Sequence, residues 1–293
     1  MADALTGVSH RTVLASDGLK LAVEDAGPLG EGGRAPLLCL AGLTRTKRDF
    51  HALRDYFALH PERPRRVVAL DTRGRGDSGH ARDAGDYTVQ READDAAQVA
   101  CALGVHKAVI VGTSRGGILA MILALTRPGL MAGSVLNDIG PRIAGTGLAR
   151  LKRQLPTSTL PSSWDEAEAR VKASLQPQFP AFTDEDWTRY ARLTFMDENG
   201  RPALAYDPKL LEPLSALPDG LPFLDLSGPF KALVTRPMLM LHGEHSDLLD
   251  ETILADAVAM GAQAHTFSGQ GHAPSLRGDA LPRIYDFLAE QGL

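Results

Sequence analysis

The chain has 293 residues, a formal net charge of −5 and a pI near 6.0. Its composition is that of an ordinary soluble globular protein, long enough for one large α/β domain or a domain with an insertion that buries its own core without staples. The acidic balance leaves no global attraction to nucleic acid or anionic lipid, and no segment offers 18 consecutive apolar residues to span a membrane.

Met1 to Gly7 lacks the basic start and apolar stretch of a signal peptide, so a cytoplasmic location is expected. Arg11–Ala15 and Leu19–Val23 flank Ser16-Asp17-Gly18, a hairpin signal that predicts two antiparallel strands. A glycine-rich loop from Gly27 to Gly33 follows, and then Pro36-Leu37-Leu38-Cys39-Leu40 reads as a strand buried on both faces. It ends in Ala41-Gly42-Leu43-Thr44, ahead of a helical segment at about Asp49–Leu59. The run Arg63-Pro64-Arg65-Arg66 reads as a solvated loop. Arg66 to Asp71 is another buried strand, running into Thr72-Arg73-Gly74-Arg75-Gly76-Asp77-Ser78-Gly79, where Asp71, Arg73 and Ser78 are expected to brace loops. Val89, Ala93, Ala96, Ala100 and Leu103 form one helical stripe stopped by Gly104. Cys39 and Cys101 stand in apolar or helical patterns as reduced packing residues, with neither a disulfide framework nor a metal motif.

The stretch with the strongest chemistry is Val109 to Gly117, where a β-branched run ends in Gly112-Thr113-Ser114-Arg115-Gly116 and passes into the apolar helix-forming run Ile118–Leu125. This is the strand, sharp turn and helix of a nucleophile elbow, with Ser114 at its apex and the positive helix end directed at any oxyanion formed there. A further strand, Gly133–Asp138, follows the helix, and the alternation predicts a parallel sheet with right-handed crossovers.

From Pro141 the texture changes. Residues 141–230 hold 11 of the 19 prolines and 9 of the 16 aromatics without a strand-like run, so this stretch reads as a helical cap inserted into a core made of residues 1–140 and 231–293. Ser163 with Glu166 forms a capping-box pattern, and Thr183 caps a helix carrying Trp187, Tyr190 and Phe195. The sheet resumes at Arg236–Gly243, and a helix at about Asp250–Met260, a strand at Ala264–Phe267 and a last helix at Ala280–Gln291 complete the chain.

In this order the chain resembles the α/β-hydrolase superfamily over nearly its whole length: the antiparallel start, the turn after the third strand, Asp71-x-Arg73-Gly74-x-Gly76-x-Ser78, the elbow, a cap, then Gly243-x-x-x-Asp247 and Gly271-His272. The resemblance implies a mostly parallel eight-stranded sheet flanked by helices, and a triad in the order nucleophile, acid, histidine. Ser114 is then the nucleophile, His272 the base and Asp247 the preferred acid, with Asp138 and Glu244 as alternatives. The residue types follow from chemistry: a serine hydroxyl needs an adjacent imidazole to take its proton, and a carboxylate must fix and stabilise that imidazole. The resemblance also supplies oxyanion donors, the backbone N–H groups of Leu43 and Arg115, although Ala41-Gly42 stands where many relatives have His-Gly.

Trp164, Trp187 and Tyr190 are expected among the substrate-binding residues, whereas Arg45, Arg48 and Arg115 either hold a substrate carboxylate or point elsewhere. The cluster His242, Glu244, His245 and Asp247 lacks the spacing of a metal site. The expected activity is cofactor-free hydrolysis of a small-molecule carboxylic ester or lactone through an acyl-enzyme. The alternatives are hydrolysis of a carbon–carbon bond in a ring-cleavage product, and slow-turnover ligand reception on the same fold. No nucleic-acid or membrane partner is expected, and homodimerisation stays open.

Overall fold

The computed structural model describes residues 7–29, 34–153, 160–216, 218, 220 and 223–293. Met1–Thr6 and most of the tip of the glycine-rich loop therefore lie outside the described residues. Strands β1 (Val8–Leu14) and β2 (Lys20–Ala26) form the expected antiparallel pair around the Asp17-Gly18 turn. β3 (Leu37–Leu40), helix α1 (His51–Ala58), β4 (Val67–Leu70), α2 (Val89–Ala102), β5 (Ala108–Thr113), α3 (Arg115–Thr126) and β6 (Met131–Asn137) then alternate.

Between β6 and the resumed sheet lie β7 (Arg142–Ala144), α4 (Gly145–Arg153), α5 (Trp164–Leu175), α6 (Asp184–Thr194), β8 (Phe195–Glu198), β9 (Arg201–Leu204), α7 (Glu212–Ser215), β10 (Phe223–Asp225) and α8 (Ser227–Leu233). β11 (Met238–Gly243), α9 (Glu251–Ala259), β12 (Gln263–Phe267) and α10 (Ala280–Glu290) close the chain. The main sheet has eight strands in the order β1-β2-β4-β3-β5-β6-β11-β12, parallel from β4 onward.

Alternation within the central strands divides the core between the two faces of the sheet. Leu38, Leu40, Val68, Leu70, Ile110 and Met240 face α2, α3, α8 and α9. Leu37, Cys39, Val67, Val109, Val111 and Leu239 face α1 and α10, where Phe57, Ile284 and Phe287 are fully buried. Each such side chain contributes about 1.5–3 kcal/mol by leaving water, so the rigid part of the molecule is this sheet and its carboxyl edge is a fixed platform.

The structure departs from the sequence reading in several elements. The stretch expected to be wholly helical contains two small antiparallel pairs, β7 with β10 and β8 with β9. These strands are three or four residues long, too short for alternation to register. Residue 230 falls inside α8, whose Phe230 and Leu233 are buried in the main core, so the α8 segment packs with the sheet. The basic run is not simply solvated: Arg65 is buried and donates to the carbonyls of Ala35 and Leu293, and Arg66 pairs with Asp25.

The insertion has its own small core of Val171, Phe179, Trp187 and Ala191, with Phe182 and Tyr190 packed on it. α6 is closed at its start by a reciprocal Thr183–Asp186 capping box. At α5, Ser163 accepts from the Glu166 amide, whereas the Glu166 carboxylate reaches back to Ser162 instead of Ser163. No helix among the described residues is long and apolar enough to cross a membrane. Trp187→Ala should lower the unfolding free energy by about 3–5 kcal/mol, as truncation of a fully buried indole does; urea denaturation showing a loss below about 1 kcal/mol would contradict this packing.

Candidate active site

β5 delivers Ser114 to the carboxyl edge of the sheet, and α3 starts at the next residue. Ser114 has φ 50° and ψ −114°, a conformation side-chain-bearing residues rarely adopt. Close packing enforces it. A Cβ on Gly112 would lie 2.5 Å from the Gly116 carbonyl oxygen, and one on Gly116 would overlap the Leu40 carbonyl oxygen. Neither glycine can be replaced without moving backbone.

The Ser114 Oγ lies 3.0 Å from His272 Nε2, and His272 Nδ1 lies 2.7 Å from Asp138 Oδ2. The imidazole therefore bridges hydroxyl and carboxylate, with Asp138 fully buried and the His272 side chain 11% exposed. Asp138 follows β6 with φ 57°, a left-handed conformation that aspartate tolerates better than most residues. Its second oxygen accepts from the Gly243 amide at 3.0 Å, and the Ser246 hydroxyl donates to Oδ2 at 2.5 Å. Three donors in all thus hold the carboxylate on the strand next to the one expected to supply it.

The preferred acid from the sequence is corrected by this geometry. Asp247 does not reach His272. It forms a bidentate pair with Arg150 of α4, at 2.5 and 2.9 Å. The physical reason is local: β6 and β11 are neighbours, and the turn after Gly243 directs Ser246, rather than Asp247, at the space beside His272. Glu244 is also elsewhere, accepting from the Ser268 hydroxyl and the Gly269 amide. These hydrogen bonds hold its carboxyl below the usual range. His242 is fixed as part of the core, its ring between Thr266 and the Leu249 carbonyl.

Leu43 stands on the turn after β3 and Arg115 on the first turn of α3, where N–H groups have no intrahelical acceptor. The Arg115 guanidinium leaves the site and pairs with buried Glu92 at 2.7 Å. Arg45 pairs with Asp49, donates to the Thr194 hydroxyl at 2.7 Å and lies 4.8 Å from the centre of the Tyr190 ring. Arg48 donates to the carbonyls of Arg192 and Phe195. Both arginines thereby tie the turn after β3 to the far end of α6. As expected, Asp71 and Ser78 act as braces: Asp71 accepts from the Lys47 amide and ammonium and from the Asp77 amide, while Ser78 bonds the Asp71 carbonyl.

Above Ser114 and His272 a cavity of about 1000 Å³ opens between the sheet edge and the insertion. Val171, Leu175, Phe182, Tyr190 and Leu193 supply apolar wall, and among the described arginines that line the cavity Arg45, Arg150, Arg170, Arg189 and Arg277 are each paired with a carboxylate. Of the three aromatics expected there, only Tyr190 lines it. Trp187 is buried in the insertion's own core. Trp164 is covered by the Arg192 guanidinium 3.7 Å from its ring centre and donates to Asp197. Helical spacing placed Trp187 and Tyr190 on α6 correctly, but only Tyr190 faces the cavity.

Sequence reasoning also missed Gln178, whose side-chain oxygen accepts from the His272 amide at 3.1 Å. A Cβ on Gly271 would meet Gln178, so the insertion presses directly on the histidine loop. Only a long-range contact reports this, and no local pattern could have found it.

A family model described as the alpha/beta hydrolase family matches residues 37–283. A 3-hydroxybutyrate-oligomer hydrolase of Cupriavidus necator is 30% identical over 82% of this chain and 83% of its own. An sn-1-specific diacylglycerol lipase of Danio rerio is 30% identical over 59% of this chain, which spans 53% of that protein. A crystal structure of an alpha/beta hydrolase from Novosphingobium aromaticivorans superposes with a TM-score of 0.87 at 34% identity, over 97% of this chain and 99% of the other.

With the imidazole held as described, Asp138→Asn should slow phosphonylation of Ser114 by a fluorophosphonate probe by more than about 100-fold, in the direction of the ~10⁴-fold loss known when a triad carboxylate is made neutral. Asp247→Asn should change that rate less than about threefold; the reverse ranking in stopped-flow labelling would return the acid to β11.

Proposed function

Since the chain belongs to the alpha/beta hydrolase family, we propose that it hydrolyses carboxylic esters through an acyl-enzyme on Ser114. The observation that carries this reading is the hydrogen-bonded line from Ser114 through His272 to Asp138 at the floor of the cavity. Ser114 Oγ attacks the ester carbonyl carbon as His272 Nε2 takes its proton, and Asp138 stabilises the imidazolium through Nδ1–H. The oxygen that gains charge is received by the N–H groups of Leu43 and Arg115, each worth about 3 kcal/mol if it behaves as oxyanion donors do elsewhere. The imidazolium returns its proton to the departing alkoxide. Water, deprotonated by the same imidazole, then cleaves the acyl-serine bond and frees the acid. No cofactor enters this sequence.

The stretch from Pro141 to the start of α8 acts in this reading as a cap that sets the substrate. The cavity joins apolar wall to guanidinium groups, most of them held by carboxylates, and an ester whose acyl or alcohol part ends in a carboxylate fits it by taking the place of one of those partners. Short oligomers of a hydroxy acid have that character, and the relative from Cupriavidus necator bears the name of such a substrate. Arg45 and Arg48 hold the cap through their hydrogen bonds.

Ser114→Ala should keep the circular dichroism of the parent and lose at least about 10³-fold of its kcat on p-nitrophenyl butyrate. Dimers and trimers of 3-hydroxybutyrate should have at least about tenfold higher kcat/KM than the same oligomers with the terminal carboxylate methylated. Wild-type rates in the serine variant would overturn the reaction, and equal rates on the two oligomer forms would overturn the substrate class.

A further inference from the structure

Neither side of the oxyanion site is held only by its own turn. Gly42 O accepts from the Arg45 amide at 3.2 Å, and Leu43 O accepts from Arg75 Nε at 2.8 Å. The peptide bond is planar and trans, so fixing the Gly42 carbonyl aims the Leu43 N–H the opposite way. Fixing the next carbonyl stops the following peptide from turning. Arg75 is fully buried and also donates to the Arg73 carbonyl at 2.7 Å. Its remaining Nη2 lies 3.3 Å from the carboxylate of Glu92, an ion pair without a formed hydrogen bond. That carboxylate, itself fully buried on α2, takes Arg115 through Nη2 at 2.7 Å and Nε at 3.0 Å. One buried carboxylate thus joins the residues that carry both amides, directly on the helix side and through Arg75 on the turn side.

Burying the Arg75 guanidinium and the Glu92 carboxylate, with Arg115 partly covered beside them, costs more than apolar residues of the same size would. The loop holding Arg75 is also docked to the insertion: Gly76 N donates to Ala205 O, Asp207 N donates to Gly74 O, and Arg75 bridges to Tyr206. A Cβ on Gly74 would meet the Tyr87 ring at 2.5 Å, and the Tyr87 hydroxyl donates to Asp207 at 2.6 Å. Little slack remains in this loop.

We infer that Arg75, anchored by Glu92, is a positioning residue that sets the separation and aim of the Leu43 and Arg115 amides. It touches no substrate. Its effect is confined to the step in which negative charge forms on the carbonyl oxygen. The inference rests on the proposed acyl-enzyme reaction, and the test separates the two.

Arg75→Met removes the bond to Leu43 O yet leaves Glu92 paired with Arg115, a balanced pair that favours folding. Arg75→Lys keeps the charge but loses the fork. The probe is an alkyl trifluoromethyl ketone: Ser114 Oγ adds to its carbonyl carbon, the hydroxyl proton passes to His272, and the resulting hemiketal oxyanion occupies the site between the two amides. Wild type should bind it tightly and hydrolyse p-nitrophenyl butyrate; failure of both overturns the acyl-enzyme reading, and this inference with it.

With wild type active, Arg75→Met should lower kcat by about 10- to 100-fold, below the loss from deleting a donor outright, with KM within about threefold of wild type. Affinity for the ketone should fall by the same factor as kcat/KM, while competitive inhibition by butyrate should not change. Arg75→Lys should fall between the two proteins, and it decides the matter if the methionine variant does not fold. A folded variant with wild-type kcat, or one whose kcat falls while its ketone affinity holds, overturns the positioning role.

Discussion

The constraint on which the rest depends is the forced bend at Ser114. A residue with a side chain at φ 50° costs of order 1–3 kcal/mol, so the surroundings must leave it no alternative. Gly112 and Gly116 let strand and helix approach until any added Cβ would collide, and the Ser114 amide donates to Asn137 O at 2.9 Å. That last bond matters twice, because Asn137 precedes Asp138. The strand pair β5–β6 therefore sets the hydroxyl and the carboxylate in one frame, and the histidine loop has only to drop between them.

Charge in this molecule is concentrated where loops must be held without regular structure. Asp71 gathers Lys47 and the loop to Asp77, Arg73 pairs with buried Asp95, and Glu92 gathers Arg75 and Arg115. Asp71, Arg73 and Arg75 all follow β4 at the carboxyl edge of the sheet. The apolar layers fix the platform and these buried polar groups fix what stands on it. The segment between β6 and β11 is bound to the same loops through Arg45, Arg48 and Gln178, so a change in its seating is felt at the turn after β3 and at His272.

The sheet was legible because its central strands are apolar on both faces and its helices carry clear stripes, and Ser114 and His272 were legible from the glycines around them. The carboxylate was not. Asp138 and Asp247 both follow strands that end at the same edge, and the choice between them turns on one residue of loop geometry, which places Ser246 where Asp247 was expected. Trp164 and Trp187 misled for a related reason: spacing locates an aromatic on a helix but does not say whether that helix packs inward or lines a cavity. Arg75 lay within a motif read as a loop brace. Its partners, Leu43 and Glu92, lie far along the chain on either side, and no periodicity connects them.

Covalent acylation of the Ser114 hydroxyl is decided by mixing the protein with p-nitrophenyl butyrate, quenching in acid within milliseconds and mapping the digested protein by mass spectrometry. A butyryl group should appear on the peptide containing Ser114 with the first burst of nitrophenolate and disappear as substrate is exhausted. Ester turnover with no adduct at Ser114, or with the butyryl group on another residue, would contradict that acylation.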